Sequence, residues 1–115
     1  NKIIDQVIKS RMGSFLAVLK LFGEQNQNVL SFPMKGYTLA LDFPVTKKLF
    51  PLLDELDSIV SDFGGRIYLA KDMRIKSEML RRMYPGYEKF CEGVKKYNPS
   101  FHFRSLQSDR TGITI

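Results

Sequence analysis

The sequence predicts a layered α+β (α/β) domain built on a small sheet. Three observations carry that expectation. Phe15 to Phe22 (FLAVLKLF) and Tyr37 to Phe43 (YTLALDF) are apolar runs of strand length. Leu49 to Phe63 repeats apolar residues at i, i+3, i+4 and i+7, the spacing that gives a helix one apolar stripe. A short run, Arg66 to Ala70 (RIYLA), follows a Gly64-Gly65 pair at once. At 115 residues, the chain has room for one domain and not two.

Taken in order, the elements read as follows. Ile4, Val7 and Ile8 recur at helical spacing, and Gly13 and Ser14 break the pattern. The first apolar run is almost continuously hydrophobic, which predicts a strand covered on both faces. Glu24 to Asn28 is a polar loop, and Pro33 and Gly36 bracket the turn before the second strand. There, Tyr37, Leu39, Leu41 and Phe43 share one face, and Thr38, Ala40 and Asp42 the other. The helix of Leu49, Leu52, Leu53, Leu56, Ile59, Val60 and Phe63 should be capped by Thr46 and ended by Gly64-Gly65. Arg66 to Ala70 is expected as a third strand, by a parallel crossover or an adjacent antiparallel arrangement. Two helices should follow. One has Met79, Leu80 and Met83 inward; the other has Pro85 in its first turn and a stripe of Tyr87, Phe90, Cys91, Val94 and Tyr97. From Asn98 onward the chain reads as irregular.

Composition excludes several classes. With 43% hydrophobic and 26% charged residues, the chain is neither a disordered tail nor a collagen-like repeat. One cysteine allows no internal disulfide, and one Cys with one His makes no structural zinc site. No apolar run is long enough to span a bilayer and no signal peptide opens the chain. The first residue is Asn1 rather than Met, so the chain is expected to be a piece of something longer. The net charge of +6 is unevenly placed. Residues 1–65 hold seven Lys/Arg and seven Asp/Glu; residues 66–115 hold eleven against five and so carry all of the excess. A basic half has three possible partners: nucleic acid, an anionic membrane, or another domain. No stacking platform for bases accompanies it, because the aromatics sit on core stripes.

Phosphate-binding loops, dinucleotide fingerprints, nucleophile elbows and metal-ligand spacings are absent from the sequence. His102 lies in a polar tail, and Cys91 sits on an apolar stripe as a small core residue. Lys20 interrupts an apolar strand on the face of Leu16, Val18 and Phe22. An ammonium there either reaches water at the strand end or meets an anionic or hydroxyl-rich ligand. Lys71 falls where the third expected strand ends, the end at which open α/β sheets gather ligands, and Tyr68 is three residues upstream. On the residues alone, the reading that prevails for Lys71 is an ordinary exposed strand-end lysine.

The runs LSFPMKGYTLALDFP (Leu30–Pro44), LDELD (Leu53–Asp57), FGGRIYLAKD (Phe63–Asp72), MYPGYEKF (Met83–Phe90) and VLKLFG (Val18–Gly23) carry a resemblance that is colinear over essentially the whole chain. It resembles FAD-linked oxidoreductases of the vanillyl-alcohol-oxidase superfamily, in the branch of decaprenylphosphoryl-β-D-ribose oxidase and the sugar-lactone oxidases. The resemblance implies the C-terminal part of such an enzyme, with a small, mainly antiparallel sheet covered by helices. Residues 1–65 would be the C-terminal part of the substrate (cap) domain. Residues 66–115 would be the segment that packs on an N-terminal FAD-binding domain, the implied partner. The implied cofactor is FAD in the full-length enzyme, not held by this segment alone.

The implied reaction is oxidation of an alcohol or sugar hydroxyl by hydride transfer to flavin, with a polyprenyl-phosphate sugar as one substrate class. Lys71 and Tyr68 would be catalytic and cofactor-binding, while Lys20, Thr38 and Ala40 would line the substrate pocket. Thr38 stands where the mycobacterial type has an amide side chain, and Ala40 where it has a cysteine. These departures lie in the pocket and bear on the substrate, not on the flavin chemistry. The histidine-x-histidine signature of the lactone oxidases is absent, which weighs against that alternative. Other expected properties are cytoplasmic or peripheral membrane location and no nucleic-acid partner. A non-catalytic basic module for nucleic acid or acidic membrane is the rival from a different class.

Overall fold

In the computed structural model, which describes residues 2–115, the chain is a mixed α+β fold. The elements are α1 (Lys2–Ser10), β1 (Ala17–Phe22), β2 (Gly36–Leu41), α2 (Leu49–Asp62), a single 3-10 turn (Leu69–Lys71), α3 (Ser77–Met83), α4 (Tyr87–Tyr97) and α5 (Leu106–Arg110). β1 and β2 form an antiparallel two-stranded sheet in which Val18 opposes Ala40 and Lys20 opposes Thr38. The alternation read in YTLALDF is thus realised, with Tyr37, Leu39 and Leu41 on one face and Thr38 and Ala40 on the other.

The core lies away from this sheet. Ile75, Leu80, Met83, Tyr84 and Tyr87 form its buried cluster, and Leu30, Val60, Ile67, Leu69, Met79, Cys91 and Ile113 pack around it. α3 exists because Leu80 and Met83 reach this core three residues apart. Both central tyrosines have occupied hydroxyls. Tyr84 donates to the Ile67 carbonyl at 2.6 Å and Tyr87 to the Thr111 carbonyl at 2.8 Å. Burial pushes the Tyr84 phenol up to about 12, against a smaller opposing pull from Arg66. Between the two tyrosines, Gly86 leaves no room for a side chain: a Cβ there would stand 2.1 Å from the Val29 carbonyl oxygen.

The sheet differs from the covered strand expected of FLAVLKLF. β1 is exposed along Ala17 to Leu21, and Leu19, Leu21 and Tyr37 are 63%, 70% and 73% exposed. The radius of gyration, 15.5 Å, exceeds the roughly 13 Å of a compact domain of this length. Apolar continuity marked a strand correctly but did not guarantee a cover within these residues.

Five further expectations are corrected. Arg66 to Ala70 is no strand, because side chains and a tight turn take its backbone acceptors. Tyr84 takes the Ile67 carbonyl, the Lys71 amide takes that of Tyr68, and Gln107 takes that of Leu69. No crossover therefore follows α2. Thr46 does not cap α2 through its side chain; Lys48 occupies the cap position, and the Thr46 carbonyl accepts the Leu49 amide at 3.0 Å. Pro85 lies before α4 rather than in its first turn, at the centre of a turn closed by the Tyr87 amide on the Tyr84 carbonyl at 2.9 Å. Tyr97 leaves the expected α4 stripe, being 81% exposed with the Lys96 ammonium over its ring. The tail is also more ordered than it reads: Ser105 and Ser108 form a reciprocal capping box that starts α5. The ending of α2 is as expected, with Gly64 in the left-handed region at φ 70°.

Candidate functional site

The FGGRIYLAKD stretch is a connector tied down from several sides. Its Arg66 donates to the Met83 carbonyl at 3.0 Å and to the Ser31 carbonyl at 2.7 Å, joining three segments distant in sequence. Past Ile67 the backbone is extended at Tyr68 and then closes the 3-10 turn, with the Lys71 amide 3.3 Å from the Tyr68 carbonyl. Tyr68 and Lys71 therefore stand at the two ends of one closed turn, Tyr68 entering it and Lys71 completing it.

Tyr68 is 47% exposed, its ring tilted against Phe32 at 4.9 Å between centroids. Phe32 meets Phe22 edge-on at 6.0 Å. Phe22 belongs to the same sheet face as Val18 and Lys20, and directly opposed residues of antiparallel strands share a face. Thr38 and Ala40, opposite Lys20 and Val18, complete that face. The aromatic chain Phe22–Phe32–Tyr68 thus links the sheet face carrying Lys20, Thr38 and Ala40 to the turn carrying Tyr68 and Lys71. Phe32 was not singled out in the sequence, though it lies within the LSFP run.

The polar ends of these groups are uncommitted. Among the described residues, the side chains of Lys20, Thr38, Tyr68 and Lys71 make no hydrogen bond or ion pair, and both lysines are exposed. The neighbouring Asp72 does not neutralise Lys71. Its Oδ1 accepts the amides of Arg74 and Ile75 at 2.9 Å each, and its Oδ2 takes the Arg110 guanidinium at 2.5 Å. Asp72 is a turn-builder, legible in principle from an Asp two residues before Arg74. Arg74 is in turn held by Asp54 and Asp57 of the LDELD run. Burial raises the Asp57 carboxyl above the usual carboxylate range, with Arg74 pulling the other way. Tightly paired arginines and free lysines therefore sit side by side.

An ammonium and a phenol on one solvent-facing turn suit an electron-rich, hydrogen-bond-accepting group. The accepting edge of a flavin is such a group, so the donor set fits FAD. Lys20 and Thr38 could bind hydroxyl or phosphate oxygens. No group of His, Cys, Asp and Glu that could hold a metal ion occurs among the described residues. Nor is any helix among them long and apolar enough to cross a membrane.

No protein-family model matches the chain. It is 41% identical over 108 residues to a decaprenylphosphoryl-beta-D-ribose oxidase of Mycolicibacterium smegmatis, a match covering 94% of this chain and 24% of the relative. It is 38% identical over 113 residues to an uncharacterized protein in the mprA 5' region of Streptomyces coelicolor, covering 97% of this chain and 30% of that protein. The chain thus spans about a quarter to a third of the length of these relatives. In both cases the similarity runs along nearly the whole of this chain.

Proposed function

We propose that this chain forms one wall of the active site of an FAD-linked oxidoreductase that oxidises an alcohol or sugar hydroxyl. One observation carries the reading. The free ammonium of Lys71 and the Tyr68 ring are presented on a turn fixed to the core, inside a stretch similar to an oxidase. A bound flavin would supply the hydride acceptor. Lys71 would hold positive charge against the cofactor where reduction leaves negative charge, an effect magnified where water is excluded. Tyr68 would present its hydroxyl to the cofactor or to the alcohol oxygen. Lys20 and Thr38 would orient a phosphate or polyol, and Ala40 would leave room beside them.

The substrate class we favour is a polyprenyl-phosphate sugar. The name of the Mycolicibacterium relative suggests it, and the exposed lysines of residues 66–115 suit a membrane surface where such a lipid resides. Residues 66–115 would pack against an FAD-binding domain, and residues 1–65 would belong to the substrate domain. The bare sheet supports this arrangement, since it presents apolar residues without a cover among the described residues. The flavin content of the full-length protein tests the proposal. One FAD per full-length chain, with none retained by the 115-residue segment alone, is the expected result. A full-length protein that purifies without flavin and does not take up added FAD would refute it.

A further inference from the structure

The turn that presents Tyr68 and Lys71 has little to hold it from within. Ala70 and Lys71 are exposed, and only Leu69 of its three residues packs on the core. Its two closing hydrogen bonds are long, 3.3 Å from the Lys71 amide and 3.2 Å from the Asp72 amide. A lone 3-10 turn of this kind does not persist unaided.

The short helix α5 supplies the missing restraint. Gln107 Nε2 donates to the Leu69 carbonyl at 2.7 Å, on the chain just before Lys71. Arg110 Nη2 donates to Asp72 Oδ2 at 2.5 Å, just after it, and Arg110 Nε to the Ile75 carbonyl at 3.1 Å. The Asp72 side chain is 4% exposed and the Arg110 side chain 28%, so the carboxylate end of this pair is shielded from water and salt. α5 is itself anchored to the core: Thr111, 1% exposed, donates to the Gln107 carbonyl at 2.7 Å and accepts the buried Tyr87 hydroxyl on its own carbonyl. A continuous path runs from Tyr87 through Thr111 and α5 to both flanks of Lys71.

We propose that Gln107 and Arg110 are positioning residues, which grip the turn on either side of Lys71 and so set where its ammonium sits. The proposal rests on the reading of Lys71 as the group that faces the flavin. The side-chain hydrogen bonds of both residues go to the turn and the residues that follow it, Leu69, Asp72 and Ile75. Displacing a catalytic group by about an ångström costs on the order of a hundredfold in rate, so a loose turn would be felt in turnover.

The test uses the full-length protein with Gln107→Leu, Arg110→Met and, as the conservative replacement, Arg110→Lys. Amide hydrogen exchange is read first, without reference to flavin. Exchange at Lys71 and Asp72 should quicken about tenfold or more in Gln107→Leu and Arg110→Met, while the core amides of Leu80 and Tyr84 stay within about twofold. Arg110→Lys, which keeps the charge, should recover part of the protection. Flavin reduction by a short polyprenyl-phosphate ribose is read second. Its kcat should fall about tenfold in Arg110→Met with little change in KM, and adding Lys71→Ala should cost no more than Lys71→Ala alone. Unchanged exchange at Lys71 and Asp72, or losses that multiply in the double variant, would overturn the proposal. Should Lys71→Ala itself leave reduction untouched, the flavin reading fails, and the exchange result still decides whether α5 holds the turn.

Discussion

The two halves of the chain place their apolar residues in opposite ways. Every member of the buried cluster lies between Ile75 and Tyr87, in the basic half. The neutral half has its own buried residues on α2, yet its sheet leaves Leu19, Leu21 and Tyr37 in solvent. Charge follows the same division. Arginines of the basic half close onto α2, Arg74 on Asp54 and Asp57, and Arg82 on Asp62. Lys71, Lys76, Lys89 and Lys95 remain exposed, without a side-chain hydrogen bond or ion pair among the described residues. The difference teaches that the buried cluster is built by the basic half, with Leu30 and Val60 of the neutral half packed on it, while the sheet stays bare among the described residues. On the proposed function, its cover is the rest of an oxidoreductase.

Substitutions can break or sharpen this contrast. The largest effect is expected at Gly86, where a Cβ would run into the Val29 carbonyl. Gly86→Ala should cost more than about 4 kcal/mol and leave the chain largely unfolded by circular dichroism. Leu80→Ala, at a position with 0% exposure, should cost about 2–5 kcal/mol in urea unfolding.

Tyr84→Phe removes one hydrogen bond and should cost about 1 kcal/mol. It also tests a pH dependence. The Tyr84 phenol titrates at about 12 when folded and near its ordinary value of 10.0 when unfolded. The stability it contributes is therefore complete below pH 10 and lost as pH rises through 12, on the order of 2 kcal/mol in all. The alkaline loss should be shallower in Tyr84→Phe. At the small end, Leu21→Ser should change stability by under about 0.5 kcal/mol, since that side chain is 70% exposed. A loss of 2 kcal/mol there would show that the sheet belongs to the core after all.

Periodicity made α1 to α4 and both strands legible, because the residues that set them sit at fixed spacings in one segment. α2 and α3 follow from leucine and methionine spacing, and the sheet face of Lys20, Thr38 and Ala40 follows from simple alternation. What sequence could not show was who satisfies whose backbone. Arg66 to Ala70 has strand residues, yet Tyr84 and Gln107, distant in sequence, take its carbonyls and leave a turn in place of a ladder. The tail reads as irregular because α5 is short and Ser108 stands where a capping box usually has Glu or Gln, although Ser105 is a favoured N-cap residue type. Gln107 and Arg110 escaped notice for a related reason: their roles lie in contacts 35 or more residues away. Lys71 and Tyr68 stood out through resemblance to a family, and the structure adds that they share one turn with free polar ends.

The central claim, that Lys71 faces a flavin, is tested most directly by anaerobic reduction, by substrate, of the FAD that the proposed function assigns to the full-length protein. Lys71→Ala should slow that reduction by two orders of magnitude or more, the usual scale for losing one electrostatic stabiliser of a transition state. The protein should keep its flavin content and its thermal unfolding transition. Reduction at the wild-type rate in Lys71→Ala would contradict the account.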